Sequence, residues 1–143
     1  MMRELYQEVI LDHNRSPRNR GELENPTGRA EGHNPLCGDQ VLVTLIVSND
    51  IVLDVRFSGQ GCAISTASAS IMTEMVRGKS VSEARVLIAE FVELVTGVRE
   101  IDEMMEVAAL AGVRQFPSRI KCATLAWHTL ESALTSGETV ATE

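Results

Sequence analysis

The stretch from 40 to 58 constrains the fold most. Val41, Val43, Leu45 and Val47 alternate with Leu42, Thr44 and Ile46. Beyond Asn49-Asp50, Ile51, Leu53, Val55 and Phe57 alternate with Val52, Asp54 and Arg56. A side-chain period of two is that of a β-strand, whose successive residues point to opposite faces. Asn49-Asp50 suits the two-residue turn of a hairpin, because Asn and Asp tolerate positive φ. The second strand has one polar face, so the sheet is expected to be antiparallel and covered on one side. A short strand at about Arg29–His33 adds an edge.

The period changes to that of a helix on both sides of this hairpin. Residues 3–13 carry Leu5, Tyr6, Val9 and Ile10 on one apolar stripe. A long polar connection, Asn14 to Gly32, follows and is expected to wrap the surface if ordered. Ser58-Gly59-Gln60-Gly61 is expected to break the second strand. From Cys62 onward Ile64, Ala67, Ile71 and Met75 share a helical face, which Gly78 stops. Ser80-Val81-Ser82-Glu83 has the form of a capping box. It opens a helix with Leu87, Ile88, Phe91, Val92 and Val95, ended by Gly97. Asp102 can cap a shorter helix, Glu103 to Ala111, closed by Gly112. Pro117 suits the first turn of a last helix that runs through Cys122 and Trp127 to Gly137. The fold class that results is α+β: a small antiparallel three-stranded sheet with helices packed on one face.

The chain of 143 residues has the length of one ordinary domain, and no Pro-, Gly- or Ser-rich linker divides it. One domain is expected over 1–143, with 135–143 a flexible polar tail. Aromatics are only 3% of the sequence, so the core must come from aliphatic residues, Met and Ala. Stacking platforms for bases are correspondingly scarce. The net charge is -7, without a Lys/Arg cluster, which argues against nucleic-acid and anionic-membrane partners. No run approaches the roughly 20 apolar residues of a membrane span, and the acidic N-terminus is unlike a signal peptide. A cytoplasmic location is expected. Three cysteines in a reducing compartment do not suggest a disulfide framework.

The cysteines stand in suggestive places. Cys37 lies in Asn34-Pro35-Leu36-Cys37-Gly38-Asp39, two positions before a carboxylate. Cys62 follows Gly59-Gln60-Gly61 at a helix start, where the helix N-terminus makes a sulfur a better ligand or nucleophile. Cys122 is expected in a similar setting after Pro117, beside Arg119 and Lys121. If these thiols and Asp39 meet in space, they make a four-ligand set suited to zinc or to iron–sulfur chemistry. No C-x-x-C pair supports that by spacing, and free cysteines also serve as small buried hydrophobes. His13 fits a packed or solvated helix position. His33 is near enough to Cys37 to be a ligand but fits a surface loop as well. His128 lies too far round its helix from Cys122 to be a natural co-ligand. Ser65, Thr66, Ser68 and Ser70 read as small residues permitting close helix packing.

Three segments carry a resemblance: Asn34 to Asp39, Gly59-Gln60-Gly61-Cys62-Ala63-Ile64-Ser65, and Arg119-Ile120-Lys121-Cys122-Ala123-Thr124-Leu125-Ala126-Trp127. Together they resemble the NifU-N/IscU superfamily of iron–sulfur cluster assembly proteins, and most closely its SufU branch, over roughly residues 3 to 134. Two departures separate the chain from the IscU scaffold branch. Lys121 stands where that branch has a ligand histidine. Gln115-Phe116-Pro117-Ser118-Arg119 stands where it has a Leu-Pro-Pro-Val-Lys chaperone-binding segment. Both point away from cluster scaffolding and chaperone-driven release, as does the longer SufU-like segment between Cys62 and Cys122.

The resemblance implies that Cys37, Asp39, Cys62 and Cys122 bind one zinc ion. It implies that Cys37 accepts persulfide sulfur from a SufS-like cysteine desulfurase, with a desulfurase histidine replacing it on the metal. Downstream iron–sulfur assembly proteins are the further partners. Arg119 and Lys121 fit two roles equally, steadying anionic sulfur or forming a solvated basic helix start. Two other functions use the same residues: a scaffold carrying iron or a [2Fe–2S] cluster, and a non-catalytic structural zinc module.

Overall fold

The structure is a computed structural model and describes residues 2–35, 38–97, 110, 113, 116–135 and 140–141, with side chains from Gln7 to Thr135. The element order is α1 (Met2–Arg15), β1 (Gly28–Asn34), β2 (Asp39–Ser48), β3 (Ile51–Gln60), α2 (Ala63–Val76), α3 (Val81–Thr96), α4 (Pro117–Thr135) and β4 (Val140–Ala141). β1, β2 and β3 form the expected antiparallel sheet. β4, two residues within the tail expected to be flexible, pairs in parallel with Gly32 and His33 at the outer edge of β1. Of the helix expected over 103–111, only Leu110, fully buried, is among the described residues. Among the described residues, no helix is long and apolar enough to cross a membrane.

The β2–β3 hairpin turns at Asn49 and Asp50, which both take positive φ (52° and 64°), the two-residue geometry that matches strand twist. β3 runs further than expected. Gly59 and Gln60 continue the ladder opposite Val41 and Gln40, so the strand reaches almost to Cys62. Pairing with β2 outweighs the weak strand preference of glycine, because the ladder satisfies backbone N–H and C=O groups of both strands.

One sheet face carries Val41, Val43, Leu45, Val55 and Phe57, all buried. α4 lies on this face and crosses β1 closely. A Cβ at Gly28 would collide with the backbone oxygen of Ala133, and one at Gly32 would meet Thr129 and Leu125. These two glycines therefore let the helix backbone sit almost directly on the strand. The opposite face is partly crossed by the polar connection. Gly21 donates its N–H to Phe57 O (2.8 Å), and Leu23 donates its N–H to Thr44 Oγ1 (3.1 Å), which leaves Thr44 buried.

α2 is buried nearly all round. Ala67, Ile71, Met72 and Val76 are buried with Ser65, Ser68, Ser70 and Thr73. The serines do more than permit close approach. Ser70 Oγ lies 2.7 Å from His13 Nδ1 and accepts the Arg18 N–H (2.8 Å), which ties α1 to α2 and explains a fully buried His13. Ser68 donates to Ala123 O and accepts from Trp127 Nε1 (3.0 Å), tying α2 to α4. Trp127 is stacked on Phe91 of α3, with ring centroids 4.3 Å apart. α3 has the capping box read from the sequence, with Ser80 and Glu83 exchanging bonds, and ends at a left-handed Gly97.

The close crossing predicts that Gly28→Ala destabilises the protein by about 1–3 kcal/mol through overpacking against α4, seen as a lower urea midpoint with an unchanged m-value. The capping box predicts a pH effect. The Ser80 backbone N–H, then its hydroxyl, hold the Glu83 carboxyl below its ordinary range. A carboxylate with a depressed folded-state pKa stabilises fully above its unfolded pKa and loses that contribution as pH falls through the folded value. Glu83→Ala should therefore lower the thermal midpoint near neutral pH, and the gap to wild type should narrow in acid.

Candidate metal centre

Strand register gathers the site at one end of the sheet. The last residue of β1, Asn34, is paired with the first of β2, Asp39. Gln60, the last residue of β3, is paired with Gln40, so Cys62 emerges beside Asp39 two residues later. α4, lying along β1, brings Cys122 to the same end. The Sγ atoms of Cys62 and Cys122 and a carboxylate oxygen of Asp39 all lie within 4.8 Å of one another. Asp39 and Cys122 are fully buried and Cys62 is half-buried, so the group opens to solvent on the Cys62 side.

Each of the three is oriented by an N–H donor. Asp39 Oδ1 accepts the backbone N–H of Cys62 (2.9 Å). Cys62 is the N-cap of α2, and its Sγ accepts the N–H of Ser65 (3.4 Å), the bond a capping oxygen would ordinarily take. Cys122 Sγ accepts from Asn34 Nδ2 (3.7 Å), across from β1 to α4. Gly61 is required beside them, because a Cβ there would stand 2.8 Å from Asp39 Oδ1 and 3.2 Å from Ser65 Oγ.

The donor set fits a cation. Asp39 Oδ2 is buried with no hydrogen-bond partner among the described residues, and a buried carboxylate oxygen without a partner is costly. Two sulfurs stand close by. Ligand atoms about 2.0–2.3 Å from one zinc ion lie roughly 3.3–3.8 Å apart in a tetrahedron. The group therefore needs only a small inward adjustment. Two sulfurs and one oxygen suit zinc, and thiolates suit iron–sulfur clusters equally.

Cys37, the remaining ligand candidate, lies outside the described residues. It belongs to the connection 35–38 between the paired and buried Asn34 and Asp39. Gly38, in that connection, has φ +71° and open space around it. Arg119 is exposed and Lys121 half-buried on α4 next to Cys122. His33 is exposed on β1 and is not part of the group, His128 is half-buried further along α4, and His13 is engaged with Ser70.

The setting of Cys122 differs from the helix start expected for it. It lies in the second turn of α4, and its sulfur stands 3.8 Å from the carbonyl of Ser118, one turn earlier. A residue so placed is past the free amides of the helix N-terminus. Its N–H donor comes instead from Asn34. Asn34 carried no role in the sequence reading, although it stands in the Cys37 segment. The contact joins residues 88 positions apart, and no local pattern encodes it.

The family model for the NifU-like N terminal domain matches residues 5–136. The zinc-dependent sulfurtransferase SufU of Bacillus subtilis (strain 168) is 42% identical over 137 residues, which cover 94% of this chain and 92% of that protein. The iron–sulfur cluster assembly scaffold protein IscU of Streptococcus pyogenes serotype M1 is 43% identical over 132 residues, covering 91% of this chain and 82% of that protein. A crystal structure from Fervidobacterium islandicum AW-1, assigned as an iron–sulfur cluster assembly scaffold protein for the SUF system, superposes with a TM-score of 0.85. It is 36% identical, over 92% of this chain and 98% of that one. With the sheet, the helices and the convergent Asp39, Cys62 and Cys122, these likenesses establish that the chain belongs to the NifU-like N terminal domain family.

Proposed function

We propose that this protein acts in iron–sulfur cluster biogenesis as a zinc-dependent sulfur acceptor, with Cys37, Asp39, Cys62 and Cys122 as the zinc ligands. The observation that carries this reading is the convergence of Asp39, Cys62 and Cys122 within 4.8 Å, with Asp39 Oδ2 buried and without a hydrogen-bond partner among the described residues. The likeness to a zinc-dependent sulfurtransferase over 94% of the chain supports the choice of metal and activity. Lys121, in place of the histidine of cluster scaffolds, supports it from the sequence. The whole chain, 1–143, acts as one domain.

When bound, zinc keeps its thiolate ligands deprotonated at neutral pH. The chain holds Asp39 through the Cys62 N–H and Cys62 through the Ser65 N–H, so two ligands are fixed by backbone. Cys37, in the connection with Gly38 at its open side, is the acceptor. Its thiolate attacks the outer sulfur of a cysteine desulfurase persulfide. A new S–S bond forms at Cys37, the desulfurase S–S bond breaks, and the desulfurase cysteine leaves as a thiolate. Arg119 and Lys121 neighbour Cys122 on α4, and their positive charges would offset the negative charge of the site. The SufS-like desulfurase and downstream iron–sulfur assembly proteins are the partners.

A second reading has one observation in its favour: a relative 43% identical is named a cluster assembly scaffold. It predicts a stable [2Fe–2S] cluster, transferable to an apo-protein, after anaerobic reconstitution.

Desulfurase turnover in the presence of this protein tests the leading reading. Wild type should stimulate it, and mass spectrometry should find one added sulfur on Cys37. Cys37→Ala should leave turnover at the level of the desulfurase alone. Undiminished stimulation by Cys37→Ala would sink the proposal. Removal of zinc by a chelator gives an independent check. The ligands join β2, α2 and α4, so the metal should stabilise the fold by about 4 kcal/mol when it is 1,000-fold above its Kd. That corresponds to a fall of on the order of 10 °C in the thermal midpoint on chelation, reversed by added zinc.

A further inference from the structure

Of the three N–H donors aimed at Asp39, Cys62 and Cys122, two are backbone amides of α2 and its cap. The third is a side chain. Resting on the metal reading above, we propose that Asn34 is a positioning residue of the metal centre: its carboxamide N–H, donated to Cys122 Sγ, holds that sulfur toward the metal and draws charge from it.

Asn34 is fully buried at the last position of β1, opposite Asp39. Burying a carboxamide is unfavourable unless its polar atoms are engaged. A neutral thiol is a weak acceptor, whereas a thiolate makes a charge-assisted bond with the same N–H. A further neighbour of the sulfur is the Ser118 carbonyl at 3.8 Å. That oxygen can only accept a hydrogen bond, so it offers a thiolate no donor. Once Cys122 is a thiolate, Asn34 supplies the donor it needs. Around a dication, two thiolates and one carboxylate leave a net charge of about −1, and a third thiolate makes it about −2. Hydrogen bonds to the sulfurs spread that excess and orient the ligands, as outer-shell partners of metal sites do. The same bond ties β1 to α4, so the sulfur is oriented by the strand that carries Asp39's register partner.

The test uses the intact chain loaded with cobalt(II), whose thiolate charge-transfer absorption reports the electron density on the sulfurs. Asn34→Ala and Asn34→Ser should both shift that band to lower energy at saturating cobalt, because the sulfur lone pairs rise when the N–H is lost. Chelator competition should show zinc affinity weakened about 10–100-fold. Emission of Trp127, the single tryptophan, reports whether each variant keeps its core. A folded variant with an unshifted band would overturn the proposal, even if its affinity fell, because that outcome is packing alone. A measurement on wild type does not depend on variants folding. With a spin-active cadmium isotope in the site, scalar coupling should pass from the metal through Cys122 Sγ to the Asn34 side-chain amide proton, and its absence would overturn the proposal. Failure of wild type to show any thiolate–cobalt band would instead remove the metal reading, and the role of Asn34 with it.

Discussion

The close seating of α4 on β1 is the contact on which the rest depends. Gly28 and Gly32 remove the side chains that would hold the helix off the strand. A helix at ordinary distance would leave Cys122 displaced from Asp39 and Cys62 and from the Asn34 amide. The core then locks the helix in place. Trp127 stacks on Phe91 and bonds Ser68, and Ser68 bonds Ala123, so α2, α3 and α4 are tied near the middle of α4. Rigid packing on one side and hydrogen-bonded strands on the other present the ligand atoms with little freedom left to lose.

The site joins two kinds of constraint. Cys62 is held by the end of β3 and the start of α2, and it caps that helix with sulfur where an oxygen would serve better for stability alone. Asp39 is held by β2 and by the Cys62 amide, yet one of its oxygens has no hydrogen-bond partner among the described residues. Both are locally unfavourable choices. Such departures from the best local choice concentrate at functional sites.

Much of the fold was legible from the residues. The alternation through 40–58, the Asn49-Asp50 turn and the Ser80–Glu83 box act over a few residues, and local geometry reads them directly. Cys62 at a helix start was legible for the same reason. The end of β3 was not, because Gly59 and Gln60 are strand only by virtue of their partners on β2. Cys122 lies in the first turns after Pro117, as read, but its setting is unlike that of Cys62, because it is a turn too far along to use the free amides of the helix start. His13 was equally open, since its partner Ser70 is 57 positions away.

The sequence by itself determined the main helices, the hairpin, the α3 capping box and the candidate ligands, because each depends on neighbours within a turn or a strand pair. It also carried the family resemblance, because motif residues are read in order along the chain. Tertiary structure alone decided that Asp39, Cys62 and Cys122 share one end of the sheet and that Asn34 serves Cys122. Those facts depend on strand register and on the crossing of α4 over β1. Both are set by side chains far apart in sequence that meet only when the core closes.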